Sequence, residues 1–170
     1  MKLTEKINII TDYYPFAESL NKRLICDCKD IDFIRNLRTY DGKESNVKAL
    51  RSGWKTTSPN IKKVSEWVIT LIRNQLHKTH PYKCIETWLA RYNEGDYTID
   101  HVHRLTWYSF VYFVKSPKGA SPLVFTTSGK RIKAEEGRVV IFPGNLYHHV
   151  PKNKCDGRIV VAGNIYFDRT

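Results

Sequence analysis

Arg138-Val139-Val140-Ile141-Phe142 runs through Pro143-Gly144-Asn145-Leu146 into Tyr147-His148-His149-Val150, and ten residues past His148 stands Arg158. Val139 to Phe142 are β-branched or aromatic and Pro-Gly-Asn is turn chemistry, so the segment reads as a strand, a turn and a returning strand that carries two histidines. Arg158 opens the run Arg158-Ile159-Val160-Val161-Ala162-Gly163-Asn164-Ile165-Tyr166-Phe167. In extended backbone Arg158, Val160, Ala162, Asn164 and Tyr166 share one face, and Ile159, Val161, Ile165 and Phe167 share the other. A permanently charged guanidinium at the head of an inward face is costly unless it meets an anion there. Upstream, His101-Val102-His103 follows the turn Asn93-Glu94-Gly95-Asp96 and precedes an aromatic run. Two residues apart in a strand, its imidazoles point to one side.

Outward from these segments the pattern stays extended. Cys84, Glu86, Trp88, Ala90 and Tyr92 alternate with Ile85, Thr87, Leu89 and Arg91; residues 108–114 are aromatic and β-branched; residues 122–125 form a further short run. Turn residues separate them at 116–119, 128–130, 143–145 and 156–157. Short strands at this spacing predict a sandwich or barrel. The first 80 residues read differently. A short apolar strand over 7–10 precedes a helix started near Asp12, whose Phe16, Leu20 and Leu24 recur on one face. Residues 38–60 read as loop, and Ser58-Pro59-Asn60 as a helix start with Asn60 as N-cap. Ile61, Val64, Val68, Leu71 and Ile72 mark the buried face of that second helix, with Trp67 beside them and an end near His77. The expected class is α+β: one domain over 1–170, with residues 1–82 as mainly helical support and 83–170 as a β-rich core.

With 28 Lys+Arg, 17 Asp+Glu and a net charge of +11, the chain is basic, yet 41% hydrophobic residues argue against disorder. No stretch approaches the roughly 18 apolar residues of a membrane span, and the first six residues lack a signal-peptide apolar region, so the expectation is a cytoplasmic protein with no membrane partner. Cys26, Cys28, Cys84 and Cys155 lack the spacing of a four-cysteine zinc site and read as reduced thiols. Basic clusters at Lys115-Lys118, Lys130-Lys133 and Lys152-Lys154, with Arg104, fall in loops that would surround the mouth of a barrel. Such charge attracts an acidic macromolecule, protein or nucleic acid.

Residues 96–167 resemble the double-stranded β-helix core (jelly-roll, cupin-like) of the Fe(II)- and 2-oxoglutarate-dependent oxygenases. The resemblance rests on a His-x-Asp/Glu-like motif at His101-Val102-His103, a Phe-Pro-x-x-x-x-His-x-Val stretch at Phe142-Pro143 to His148-His149-Val150, and Arg158 ten residues after His148. It is nearest to small oxygenases of phages and marine bacteria, in which His-x-His precedes Ser-Gly-Val-Tyr-Tyr, here Ser109-Phe110-Val111-Tyr112-Phe113. An upstream Gly-Trp-x-Ser/Thr element matches Gly53-Trp54-Lys55-Thr56 and extends the resemblance over 46–167.

The resemblance implies iron ligands His101, His103 and His148, and Arg158 as partner of the distal carboxylate of 2-oxoglutarate. It places Tyr92 or Tyr97 as cosubstrate contacts, and Asn164 shares the face of Arg158. Fe(II), 2-oxoglutarate and O₂ would together hydroxylate a C–H bond, releasing succinate and CO₂, in a bacterial or phage-infected cytoplasm. His149 faces away in an extended strand, and Asp100 is the reserve carboxylate ligand if the loop is irregular. Two departures stand out. His103 replaces the usual carboxylate, leaving three neutral ligands, and Phe113 replaces the second tyrosine. Two other readings stay open: a cupin-like three-histidine metalloprotein without 2-oxoglutarate, and a non-catalytic basic nucleic-acid- or protein-binding module. The former leaves Arg158 unexplained; the latter would use Arg51-Ser52-Gly53-Trp54-Lys55 and Arg104-Leu105-Thr106-Trp107 for stacking.

Overall fold

The computed structural model describes residues 6–38, 42–76 and 80–168. In chain order its elements are β1 (Ile10–Tyr13), α1 (Ala17–Asp27), β2 (Ile34–Arg35), β3 (Val47–Lys48), β4 (Leu50–Arg51), α2 (Pro59–Gln75), β5 (Tyr82–Tyr92), β6 (Tyr97–His101), β7 (Tyr108–Lys115), β8 (Leu123–Phe125), β9 (Lys130–Ile132), β10 (Arg138–Pro143), β11 (His148–Val150) and β12 (Arg158–Phe167). A seven-stranded sheet has the order β1-β10-β7-β12-β5-β4-β2, and a five-stranded sheet the order β3-β6-β11-β8-β9. The strands pair antiparallel, and the two sheets form a double-stranded β-helix with both helices packed on the outside of the larger one.

Alternation along β12 explains this layering. Ile159, Val161 and Ile165 turn outward against Leu20 and Leu24 of α1 and Ile61, Val64, Val68 and Ile72 of α2. Val160 and Ala162 turn inward and meet Trp88, Phe113, Phe125, Phe142 and Val150 between the sheets. Each buried Leu, Ile or Val contributes about 1.5–3 kcal/mol by leaving water, so the larger sheet is anchored on both faces. Arg158 heads the inward row, as the alternation predicts, and is fully buried.

The N-terminal half departs from expectation in several places. The first strand begins at Ile10, where the expected one ends, because Ile10 to Tyr13 pair with β10 from Ile141 back to Arg138. Asp12 is thereby held in a strand, and α1 starts only at Ala17. Phe16 stands at the N-cap position without a side-chain capping bond and with 73% of its surface exposed, so the buried face is Leu20 and Leu24 without it. Ser58, not Asn60, is the N-cap of α2: its Oγ accepts the Ile61 N–H at 3.1 Å while Pro59 occupies the first turn. Asn60 instead donates its amide to Asp27 at the end of α1, tying the helices together. The second helix ends at Gln75, and His77 lies outside the described residues. The 38–60 stretch contains β3 and β4, which pair with β6 and β5, so the N-terminal half supplies strands as well as helices.

One irregularity matters for the site. On β5, Ile85 is an extra residue between Cys84 and Glu86, which face Ile165 and Asn164 of β12 respectively. The bulge turns Cys84 to the helix side with Ile165 and leaves Glu86 as the last inward residue of β5. No helix among the described residues is long and apolar enough to cross a membrane.

Candidate metal centre

His101 is the last residue of β6 and His148 the first of β11, and the register sets them directly opposite each other. His103 lies two residues beyond β6, where its backbone N–H donates to the Gly144 carbonyl at 2.7 Å. That bond fastens the loop bearing His103 to the Pro143–Gly144 turn. Gly144 is required there: a Cβ would come within 2.1 Å of Thr106 Oγ1 and 2.8 Å of the His103 carbonyl. Ring centroids lie 4.3 Å apart for His101 and His148, 4.9 Å for His101 and His103, and 5.2 Å for His103 and His148. One ring nitrogen from each falls within 4.8 Å of the others, a spacing that could hold a metal ion.

Hydrogen bonding orients two of the rings. Nδ1 of His101 is 2.8 Å from the Ile99 carbonyl and Nδ1 of His148 is 2.9 Å from the Leu146 carbonyl. A carbonyl only accepts, so each Nδ1 carries the proton and each Nε2 presents a lone pair. Burial pushes the His148 pKa down to about 3 and holds His101 and His103 below their usual range, with neighbouring imidazoles and Arg51 adding to the effect at His103. All three are therefore neutral near pH 7, the form that ligates.

Arg158 shares their cavity, together with Tyr92. Its guanidinium carbon sits 4.5 Å from the Tyr92 ring centroid and 5.5 Å from that of Phe113. Among the described residues its Nε and Nη1 are buried without a hydrogen-bond partner. Burial lowers its pKa while the Tyr92 hydroxyl favours the charged form. That hydroxyl is also 2.8 Å from Thr98 Oγ1, which fixes it beside the arginine. Phe113 contributes an aromatic wall and no hydroxyl.

The remaining sequence candidates lie elsewhere. Tyr97, expected as a cosubstrate contact, is exposed on the opposite face of β6 from Thr98 and does not line the cavity. Asn164 lines the outer cleft rather than the Arg158 end, bonded to Ser109 and Glu86. Asp100 accepts from Thr126 Oγ1 at 2.6 Å and lies 4.0 Å from His149 Nδ1; this pair stands apart from the three-histidine cluster.

Two charged residues escaped the sequence reading. Arg51 is buried, with its guanidinium carbon 3.4 Å from the Trp54 ring centroid and 4.5 Å from that of Trp88. It and Glu86 line an open cleft that leads to His101 and His103. Arg51 was legible only as part of a basic, aromatic segment, and Glu86 only as one member of an alternating strand.

The 115–119 loop packs on the 152–157 loop through the Lys154 N–H and Gly119 carbonyl, and neither loop lines the cleft. Lys43, Arg51 and Arg104 are the basic residues that line the cleft.

The two sheets define the chain as a double-stranded β-helix fold. No protein-family model matches the sequence, and no curated protein matches it. Solved structures do match in fold. A viral collagen prolyl hydroxylase from Paramecium Bursaria Chlorella virus-1, in complex with 2OG, superposes with a TM-score of 0.71 at 15% identity, covering 92% of this chain and 94% of that one. A prolyl-4-hydroxylase from Pseudomonas putida gives 0.69 at 15% identity, over 96% and 94% of the two chains. HygX from Streptomyces hygroscopicus, with nickel and 2-oxoglutarate bound, gives 0.70 at 9% identity, over 94% and 83%.

Proposed function

We propose that this chain is an Fe(II)- and 2-oxoglutarate-dependent oxygenase that hydroxylates a C–H bond. The observation that carries the reading is the joint presence, in one cavity, of three buried neutral imidazoles and a buried guanidinium with unpartnered N–H groups. Three neutral nitrogen donors suit a borderline divalent cation such as Fe(II) or Ni(II), and the unpartnered guanidinium suits a carboxylate. When bound, the metal would let O₂ oxidise both partners, one oxygen atom passing to 2-oxoglutarate as it becomes succinate and CO₂ and the other to the substrate C–H bond.

The chain's own residues bind, orient and enclose. His101, His103 and His148 would hold the metal, with two of the rings fixed by their carbonyl bonds. Arg158 would take the distal carboxylate of the cosubstrate through Nε and Nη1, while the Tyr92 and Phe113 rings keep water from that ion pair. The absence of a carboxylate ligand leaves the loaded centre nearer +2 than +1, a charge that a dianionic cosubstrate offsets. The primary substrate would enter by the outer cleft, and a protein side chain is favoured over a nucleic acid because the matched folds include two prolyl hydroxylases.

The test is cosubstrate binding and turnover in Arg158→Ala. Wild type with Fe(II) should release succinate from 2-oxoglutarate. In the variant the Kd for 2-oxoglutarate should rise at least about tenfold, as loss of a charged hydrogen-bonded pair typically costs about 1.5–3 kcal/mol, with metal affinity nearly unchanged. Equal 2-oxoglutarate binding by the variant would leave the three-histidine, cupin-like reading in its place.

A further inference from the structure

At the cleft end of the larger sheet, three adjacent strands carry a chain of hydrogen bonds that none of the metal or cosubstrate contacts uses. Ser109 of β7 donates its hydroxyl to Asn164 Oδ1 of β12 at 2.9 Å, and Asn164 donates its amide to Glu86 Oε2 of β5 at 2.7 Å. Tyr166 donates its hydroxyl to the same Oε2 at 2.7 Å. Ser109 and Asn164 are buried, with 2% and 3% of their surface exposed, so their polar groups are committed to this chain. Because Ser109 fixes Asn164 Oδ1 as acceptor, the asparagine can only present N–H to Glu86. The β5 bulge then aims Glu86 into the cleft beside Trp88 and His103.

The result is a carboxylate with one oxygen doubly saturated and the other unused. Among the described residues Oε1 of Glu86 accepts no hydrogen bond and Glu86 forms no ion pair, although Lys43, Arg51 and Arg104 line the same cleft. An ionised acceptor held by fixed donors and left open on one side is best satisfied by a charged N–H donor, since charge-assisted bonds are roughly twice as strong as neutral ones. A neutral hydroxyl would leave the charge uncompensated.

We propose that Glu86 orients the primary substrate by accepting a hydrogen bond from its protonated amine, making this an oxygenase of amine-bearing substrates. The inference rests on the oxygenase reading for its reaction, though not for its binding step. The basic residues across the cleft suit an acidic group elsewhere on the same substrate.

Binding to metal-free protein tests it, because an amine cannot then be captured by the metal. n-Butylammonium and n-butanol, nearly isosteric and differing in charge, are titrated at pH 7 while the cleft resonances are followed by NMR. Wild type should bind the ammonium at least about tenfold more tightly than the alcohol, and Glu86→Gln, which keeps the size and an acceptor for Asn164 and Tyr166, should remove that preference. Tyr166→Phe, which leaves Glu86 charged but less constrained, should retain a reduced preference. Equal binding of the two probes by wild type, or an undiminished ammonium preference in Glu86→Gln, overturns the proposal. If the preference holds while Fe(II)-loaded protein releases no succinate from 2-oxoglutarate, the oxygenase reading fails and the amine site stands.

Discussion

His148 and His149 are neighbours in sequence with opposite surroundings. His148 faces His101 across the sheet, buried against Phe142, whereas the His149 ring lies 3.0 Å from Thr126 Oγ1 on the outer side with Asp100. Titrating Fe(II), or Ni(II) as a redox-stable substitute, should therefore show lost binding in His101→Ala and His148→Ala and near-normal binding in His149→Ala; the reverse outcome would shift the ligand register by one residue. Burial of His148 also sets an acid limit. Its pKa is held at about 3 against an ordinary 6.5, so below pH 6.5 the unfolded chain takes up a proton that the folded chain refuses. Its contribution to stability is complete above pH 6.5 and is lost progressively as pH falls toward 3. Thermal melts of metal-free protein should decline across that window, and His148→Leu should flatten the slope. Spacing and alternation made it legible in advance that His101, His103, His148 and Arg158 come together. Tyr97 lies outside the cavity because β6 has an extra residue between Thr98 and His101, which face Val150 and His148, so that Thr98 shares the His101 side, and the inward turn of Glu86 was hidden because a bulge cannot be read from an alternating strand.

Among the elements, the joint between the loop bearing His103 and the Pro143–Gly144 turn couples fold to site. Gly144→Ala places a methyl group against Thr106 and the His103 carbonyl, and the backbone must give way. Overpacking of this kind costs about 1–3 kcal/mol. A lowered melting temperature should accompany weaker metal binding in this variant, since His103 moves with its loop; unchanged metal affinity would show the loop to be independent of the turn. The long strands β5, β7, β10 and β12 and the buried face of α2 were legible because their patterns run over many residues. The two-residue strands β2, β3 and β4 were not. They carry no period of their own and exist because β5 and β6 offer edges to pair with.

For the molecule as a whole, the N-terminal helices support the β core from outside while β1 to β4 of the same half extend both sheets. Lys43, Arg51 and Arg104 line the cleft, whereas Lys115, Lys118, Lys152 and Lys154 do not, and screening at physiological ionic strength confines exposed charges to about 8 Å. Steering of an acidic chain should therefore depend on the cleft residues: poly-L-glutamate binding should weaken steeply with salt, and Arg104→Gln should flatten that dependence while Lys118→Gln and Lys154→Gln leave it. A flat response in wild type would remove the case for an acidic macromolecule. The larger sheet finally does something optical. It separates three of the four indoles: Trp67 lies edge-on to Tyr14 and Tyr112 on the helix side, and Trp54 and Trp88 lie 5.2 Å apart at the cleft, while Trp107 is exposed beside Phe167. Once Trp107 is replaced by phenylalanine, emission from Trp67 should report the integrity of the helical layer and emission from Trp54 and Trp88 the occupancy of the cleft, so the fold carries its own pair of optical reporters.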